Sequence, residues 1–299
     1  MHMSALEDVP RFQAGPAGLE ALARILEREP CETATPGAAF QAIALSCLHR
    51  FETNRGLLAR SGEAEALHQA RVALRQLRSA LSIFREIVAD DRFEHLRDEL
   101  RWLAGATNDA RDLDALVARM DEVPASLELE RKRASTLASK VLASARAERL
   151  LREMIDWLAN GAWIDVRNPR DQTAAEFASA ALDRLRDKLG KRGRHLRSLD
   201  DEGLHEVRIA AKKLRYAAWF FSGLFHADTA ERRAKRFIEA MRALQDGLGE
   251  VQDLAVAPAL LKRLHVPRAR WPKMPRRSKL VKRAAKKFER ALDCQPYWR

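Results

Sequence analysis

The chain has 299 residues, 46% apolar, 32% charged and only 6% aromatic, with a formal net charge of +12 and a pI near 10.0. That apolar share suffices for a buried core and excludes a chain disordered by composition. No apolar run approaches the roughly 18 residues that span a bilayer, so no membrane insertion is expected. Three scattered cysteines (Cys31, Cys47, Cys294) lack CxxC spacing and exclude a disulfide framework or a zinc site.

The start, MHMSALEDVPRF, lacks the basic-then-apolar pattern of a signal peptide, and a cytoplasmic protein is expected. Residues 1–37 place Pro10, Pro16, Pro30 and Pro36 around one short helical run and read as a leader. From Phe40 the apolar residues recur at helical spacing. The pattern runs through FQAIALSCLHRFETNRGLLAR, then LHQARVALRQLR (67–78), then FEHLRDELRWLAGATNDARDLDALVARM, then a long run from about Leu127 to Leu158. No strand-like stretch competes, so the fold class is all-α. NGAWIDVRNPRDQ, 160–172, breaks the pattern with Gly, Asn and Pro and reads as a linker.

After it the pattern restarts. LHEVRIAAKKLR, 204–215, sets His205, Arg208, Lys212 and Arg215 at the spacing of His68, Arg71, Arg75 and Arg78, shifted by 137 positions. The same shift maps Phe40 to Phe177, Arg55 to Arg192 and Phe84 to Phe221. Farther on, RWLAGATNDARDL and RALQDGLGEVQDL align at 141, pairing Arg101 with Arg242 and Asp112 with Asp253. The change of four is about one helical turn. Residues 38–160 and 173–299 therefore read as duplicated halves. Each is expected to form a four-helix bundle, the two related by a pseudo-twofold axis around a basic central channel.

The chain ends in a basic stretch. Residues 262–299 hold 14 Lys and Arg against Glu289 and Asp293, a surplus of 14 − 2 = 12 that equals the net charge of the whole chain. Within it the loop VPRARWPKMPRR leads into a helix over roughly 277–292, with Lys279, Lys282, Lys286 and Arg290 on one stripe. Such a block fits an anionic partner or a solubilising tail.

Offsets of 0, 3, 7 and 10 fall within an arc of about 80° and extend about 15 Å along a helix. Leu74, Leu77 and Leu81 point the opposite way, as do Val207, Ala211, Leu214 and Ala218. Each repeated helix thus has one core face and one face of aligned cations, which repel by a few tenths of a kcal/mol per pair. A single stripe of this kind is compatible with an ordinary solvated face, but that reading does not require two copies in register. Brought together as walls of one groove, the stripes concentrate a positive field, with Asp112 and Asp253 as orienters. Arginine forks suit phosphate oxygens, and the long spacing suits an extended polyanion.

The doubled H-x-x-R-[V/I]-A-x-[R/K]-x-L-R, each followed by an R-D-L or Q-D-L helix, resembles the CHAD (histidine α-helical domain) family, as does the ending KRAAKKFERALDCQPYW. The resemblance covers about residues 38–299. It implies two related helical bundles around a basic channel that binds inorganic polyphosphate, at polyphosphate or storage granules and beside granule-associated proteins. By resemblance the binding positions are His68, Arg71, Arg75, Arg78 and Arg101, with His205, Arg208, Lys212, Arg215 and Arg242. Lys213 is a neighbouring cation, and Lys282 and Lys286 extend the set. Gln252 stands where the first copy has Arg111, a departure from the repeat.

An enzyme reading lacks its catalysts: neither histidine comes with a carboxylate cluster, a P-loop or a G-x-S-x-G elbow. No catalytic residue, metal or cofactor is assigned. Nucleic-acid or general polyanion binding is the alternative, but base stacking needs aromatics among the cations, and the two stripes carry none on their arcs. Nucleic acid is therefore expected only as a weak competitor.

Overall fold

The computed structural model describes residues 34–164, 172–273 and 275–299. The short helical run proposed within the leader and the centre of the 160–172 linker lie outside the described residues. The first half holds α1 (Pro36–Ser61), α2 (Ala64–Ile83), the single turn α3 (Arg85–Val88), α4 (Phe93–Gly105), α5 (Asn108–Val117), α6 (Ala125–Leu142) and α7 (Ala145–Asn160). The second half holds α8 (Ala174–Gly193), α9 (Asp201–Phe221), α10 (Asp228–Arg263) and α11 (Arg277–Asp293). No strand occurs among the described residues, and the all-α expectation holds.

Local chemistry sets the ends. Thr35 accepts from Ala38 N (3.2 Å) with Pro36 opening α1, and Gly62 closes it at φ 67°, a conformation a side chain would strain. Thr173 and Glu176 form a reciprocal capping box on α8, and Asp200 caps α9 by accepting from Gly203 N (2.8 Å). The run expected from Leu127 to Leu158 is two helices. Ser144 accepts from Ala147 N (3.3 Å) and starts α7 afresh, because a capping serine offers the backbone an exit from α6.

The repeat is visible in the elements and also departs from itself. α1 and α2 pack together as α8 and α9 do. In the first half α4 and α5 are separate helices, broken around Thr107, whose buried hydroxyl donates to Ala104 O (2.8 Å). The matching stretch of the second half is the unbroken α10, which begins six residues before Ala234, the match of Phe93. The four extra residues of the second half are thus absorbed as helix.

One apolar core runs through both halves. Its centre holds the four phenylalanines that the 137-residue shift pairs. Phe84 lies 5.5 Å from Phe40, 4.9 Å from Phe177 in a stacked geometry, and 5.5 Å from Phe221. A smaller core joins Leu113, Leu116 and Leu127 of α5 and α6 to Leu260 and Leu261 of α10 and to Val266. Thus α5 reaches across from its own half onto the end of α10. The chain terminus is pinned: Tyr297 Oη donates to Ala218 O (2.6 Å), and Trp298 Nε1 donates to Asp183 Oδ1 (2.9 Å).

Candidate polyanion-binding cleft

α2 and α9 pack against each other, and α5 meets α10, so the two repeated helices and the crossing helix border one cleft. Its outer part, about 380 Å³, lies between α2 and α5 and is lined by His68, Arg71, Arg111 and Arg119. An inner part of about 180 Å³ continues to Arg75 and Arg208 and shares Arg71, Arg111, Arg119 and Asp253 with the outer one.

The stripe residues are positioned one by one. Arg71 Nη1 donates to Thr107 O (3.2 Å), Thr107 Oγ1 (3.1 Å) and Asn108 Oδ1 (3.0 Å), so the break between α4 and α5 supplies its acceptors. Arg75 crosses to α9, where its Nε donates to Tyr216 Oη (2.6 Å). Arg215 lies over the same ring at 4.6 Å and donates from Nε to Gln245 Oε1 (2.7 Å). His205 Nδ1 donates to Gln252 Oε1 (3.2 Å), a carbonyl that can only accept, which fixes the histidine tautomer. Gln252, the departure from the repeat, therefore orients a stripe residue. Its counterpart Arg111 reaches across to Asp253 (3.8 Å), which also holds Arg119 (3.2 Å).

Charge in the cleft is unbalanced. Arg71, Arg75, Arg78, Arg111, Arg119, Arg208 and Lys212 face Asp112 and Asp253; Asp114, at the outer edge, is held by Arg131 (3.3 Å). Burial, then Arg75 and Arg111, pulls the Arg71 guanidinium down to about 10 against the pull of Asp112. Lys212 falls to about 8 through burial and the charges of Arg208, Arg75, Arg78 and Lys213. Arg78 is lowered by partial burial and then by Arg101. Arg208 is lowered by burial and by Arg111 and Arg75, with Asp253 opposing, and its Nε is buried without an acceptor. The carboxyl of Asp112 is raised, chiefly by burial, and is also pushed up by Asp253.

The remaining expected positions divide. Arg101 is exposed, bonded to Asp98 (3.0 Å), and near enough for its charge to reach Arg78. Lys213 turns the other way, toward Lys188 and Arg192 of α8. Arg242 is exposed on α10, and Lys282 and Lys286 are exposed on α11; among the described residues no bond or ion pair ties these three to the stripes. It is Lys287 that faces α10, at Gly247. Sequence reasoning missed Tyr216, Thr107, Asn108 and Arg119 as supports. Trp219 of α9 is exposed, with Arg50 5.6 Å over its ring. Among the described residues no cluster of three metal-ligating side chains occurs, and no helix is long and apolar enough to cross a membrane.

Fold and cleft define a class: an all-helical protein in which two repeated helices hold cations around a shared cleft. Residues 42–262 match the CHAD domain, and the chain belongs to the CHAD family. The crystal structure of the CHAD domain from the plant Ricinus communis is similar, with a TM-score of 0.68 and 29% identity over 86% of each chain. PptA from Streptomyces chartreusis shares the fold at 19% identity and a TM-score of 0.54, covering 85% of this chain and 94% of its own. Uncharacterized proteins from two strains of Mycobacterium tuberculosis are 29% identical over 226 residues, 66% of this chain. The chain spans 40% of the length of those two relatives. The matched CHAD stretch ends before α11, so Lys282 and Lys286 lie beyond it.

Proposed function

We propose that this protein binds inorganic polyphosphate in the cleft between α2 and α9, as a binding module rather than an enzyme. The carrying observation is the unmet charge where α9 faces α2: Arg208, which lines the inner cavity, has no acceptor for its Nε among the described residues, and Lys212 one turn on is surrounded by cations. A buried unpaired cation is costly, and an anion entering here relieves that cost while paying its own desolvation against forks already oriented. Arg71, Arg75 and Arg215 are pre-set by neutral acceptors, which leaves their charge available to a ligand. Membership of the CHAD family supports the choice of a phosphate chain. Residues 38–299 act in this reading as one binding unit in the cytoplasm, at polyphosphate or storage granules and their associated proteins.

Titration with long-chain polyphosphate at physiological salt, repeated against single-stranded RNA and duplex DNA, tests the reading. The expected result is tight polyphosphate binding that neither nucleic acid displaces. Equal affinity for all three makes the protein a general polyanion binder and defeats the proposal.

A further inference from the structure

Outside the cleft, a second positive surface lies on α8. Arg184, Lys188, Lys191 and Arg192 border a shallow depression of about 450 Å³ with Asp187 between them. Offsets of 0, 4, 7 and 8 keep these four cations within an arc of about 100°, over about 12 Å of helix. Arg184, Lys188 and Lys191 are exposed and make no ion pair among the described residues, whereas Arg192 is held by Glu206 (2.5 Å). With Lys213 of α9 the patch has five cations against Asp187 and Glu206.

The repeat shows that this face has changed character. The 137-residue shift maps Arg184 to Cys47, Lys188 to Phe51 and Lys213 to Gln76, and all three first-half residues are buried, at 2%, 0% and 6% exposure. In the first half α6 packs against both α1 and α2, and Arg55, the match of Arg192, donates from Nη1 to Leu142 O at the end of α6 (3.5 Å). In the second half the stretch between α10 and α11 occupies the place of α6 in chain order. It turns instead onto the small core, through Val266 and Trp271. α11 covers another side of α8, where Phe288 abuts Gly193. Among the described residues no counterpart of α6 covers the groove of α8 and α9, and cations stand where the other half buries Cys47, Phe51 and Gln76.

The patch is also electrically continuous with the cleft. Lys212 faces the α2 stripe and feels Lys213, and Lys213 in turn feels Lys188 and Arg192. Adjacent residues on one helix therefore join the two cationic surfaces.

We propose that the α8 face, with Lys213, is a second site for the same phosphate chain, reached from the cleft past Lys212 and Lys213, so that a long chain engages both surfaces at once. This rests on the polyphosphate reading of the cleft and adds a chain-length preference to it. A short chain fills the cleft alone, whereas a long one gains a second, effectively intramolecular attachment.

The test compares short and long polyphosphate on the wild type, on K188E/K191E, on the charge-matched surface control R232E/R233E, and on the cleft variant R75E/K212E. Lys188, Lys191, Arg232 and Arg233 are exposed and, among the described residues, free of ion pairs, so both surface variants are expected to retain the fold. The expected result is a loss of about tenfold or more in long-chain affinity for K188E/K191E, with short-chain affinity changed by less than about threefold. The control shifts both by less than about threefold, and the cleft variant loses both. Equal long-chain affinity in K188E/K191E and the control overturns the second site while leaving the cleft intact. A wild type that binds neither chain length overturns the cleft reading and the second site together. Single-stranded RNA that depends on Lys188 and Lys191 as strongly as the phosphate chain does overturns the assignment of this face to polyphosphate.

Discussion

Among the described residues, no ion pair answers Lys212. Arg208 and Lys213 on its own helix and Arg75 and Arg78 on α2 all oppose its charge, and with burial they bring it to about 8. A lysine lowered in the folded state weakens the fold while it is protonated, fully so below that value. From this group alone, stability rises with pH between about 8 and the ordinary 10.5, where only the unfolded chain holds the proton. A bound polyanion reverses the preference and draws a proton onto the amine. Polyphosphate affinity should therefore fall as pH rises through about 8, with proton uptake on binding, measurable by calorimetry in buffers of different ionisation enthalpy. An affinity flat across that range contradicts this. K212M removes an unpaired, mostly buried charge, so denaturant unfolding should show about 1 kcal/mol or more of added stability. The same variant should lose about tenfold or more in polyphosphate affinity. A variant both less stable and equally competent in binding counts against the placement of Lys212 in the cleft.

Among the elements, close approach matters more than propensity. α8 and α11 meet at Gly193, where an added Cβ would stand 2.2 Å from the Phe288 ring. G193A should cost about 1–3 kcal/mol in chemical denaturation by overpacking this contact, although alanine is the better helix former. An unchanged midpoint would mean that Phe288 does not pack there. At this scale the sequence was legible where period carries the information. The two stripes, their opposite core faces and the four matched phenylalanines follow from 3.6-residue spacing and a constant shift. Lys213 was readable too: its offset of 8 from His205 sets it about 80° beyond the stripe, on the side that meets α8. Arg119, Thr107 and Tyr216 were not, since their roles depend on α5 crossing to α10 and on α9 packing against α2. Those contacts are long-range, and no local spacing encodes them. The division of α6 from α7 had a local sign in Ser144, but apolar periodicity runs through it and hides the break.

Over the whole molecule, the charge excess counted at the chain end does not build the cleft. Its arginines and lysines lie before residue 262, where the charges balance as a whole, and much of the terminal excess is exposed on α11 and the loop before it. Binding in the cleft should release counterions from several neutralised phosphates at once. Polyphosphate affinity is expected to fall about a hundredfold or more between about 50 and 200 mM salt, linearly on a log–log plot. A shallow slope would mean that few cations engage the chain. The same reasoning separates cleft from tail, because neutralising terminal lysines should reduce the slope only slightly.

The central claim is that cations on α2 and α9 act on one ligand. R75E/K212E reverses one charge on each wall, and the most direct measurement is its titration with long-chain polyphosphate, with circular dichroism recorded on the same sample. The expected result is a helical protein that no longer binds tightly. A double variant that stays helical and binds like the wild type would contradict the cleft as the binding site.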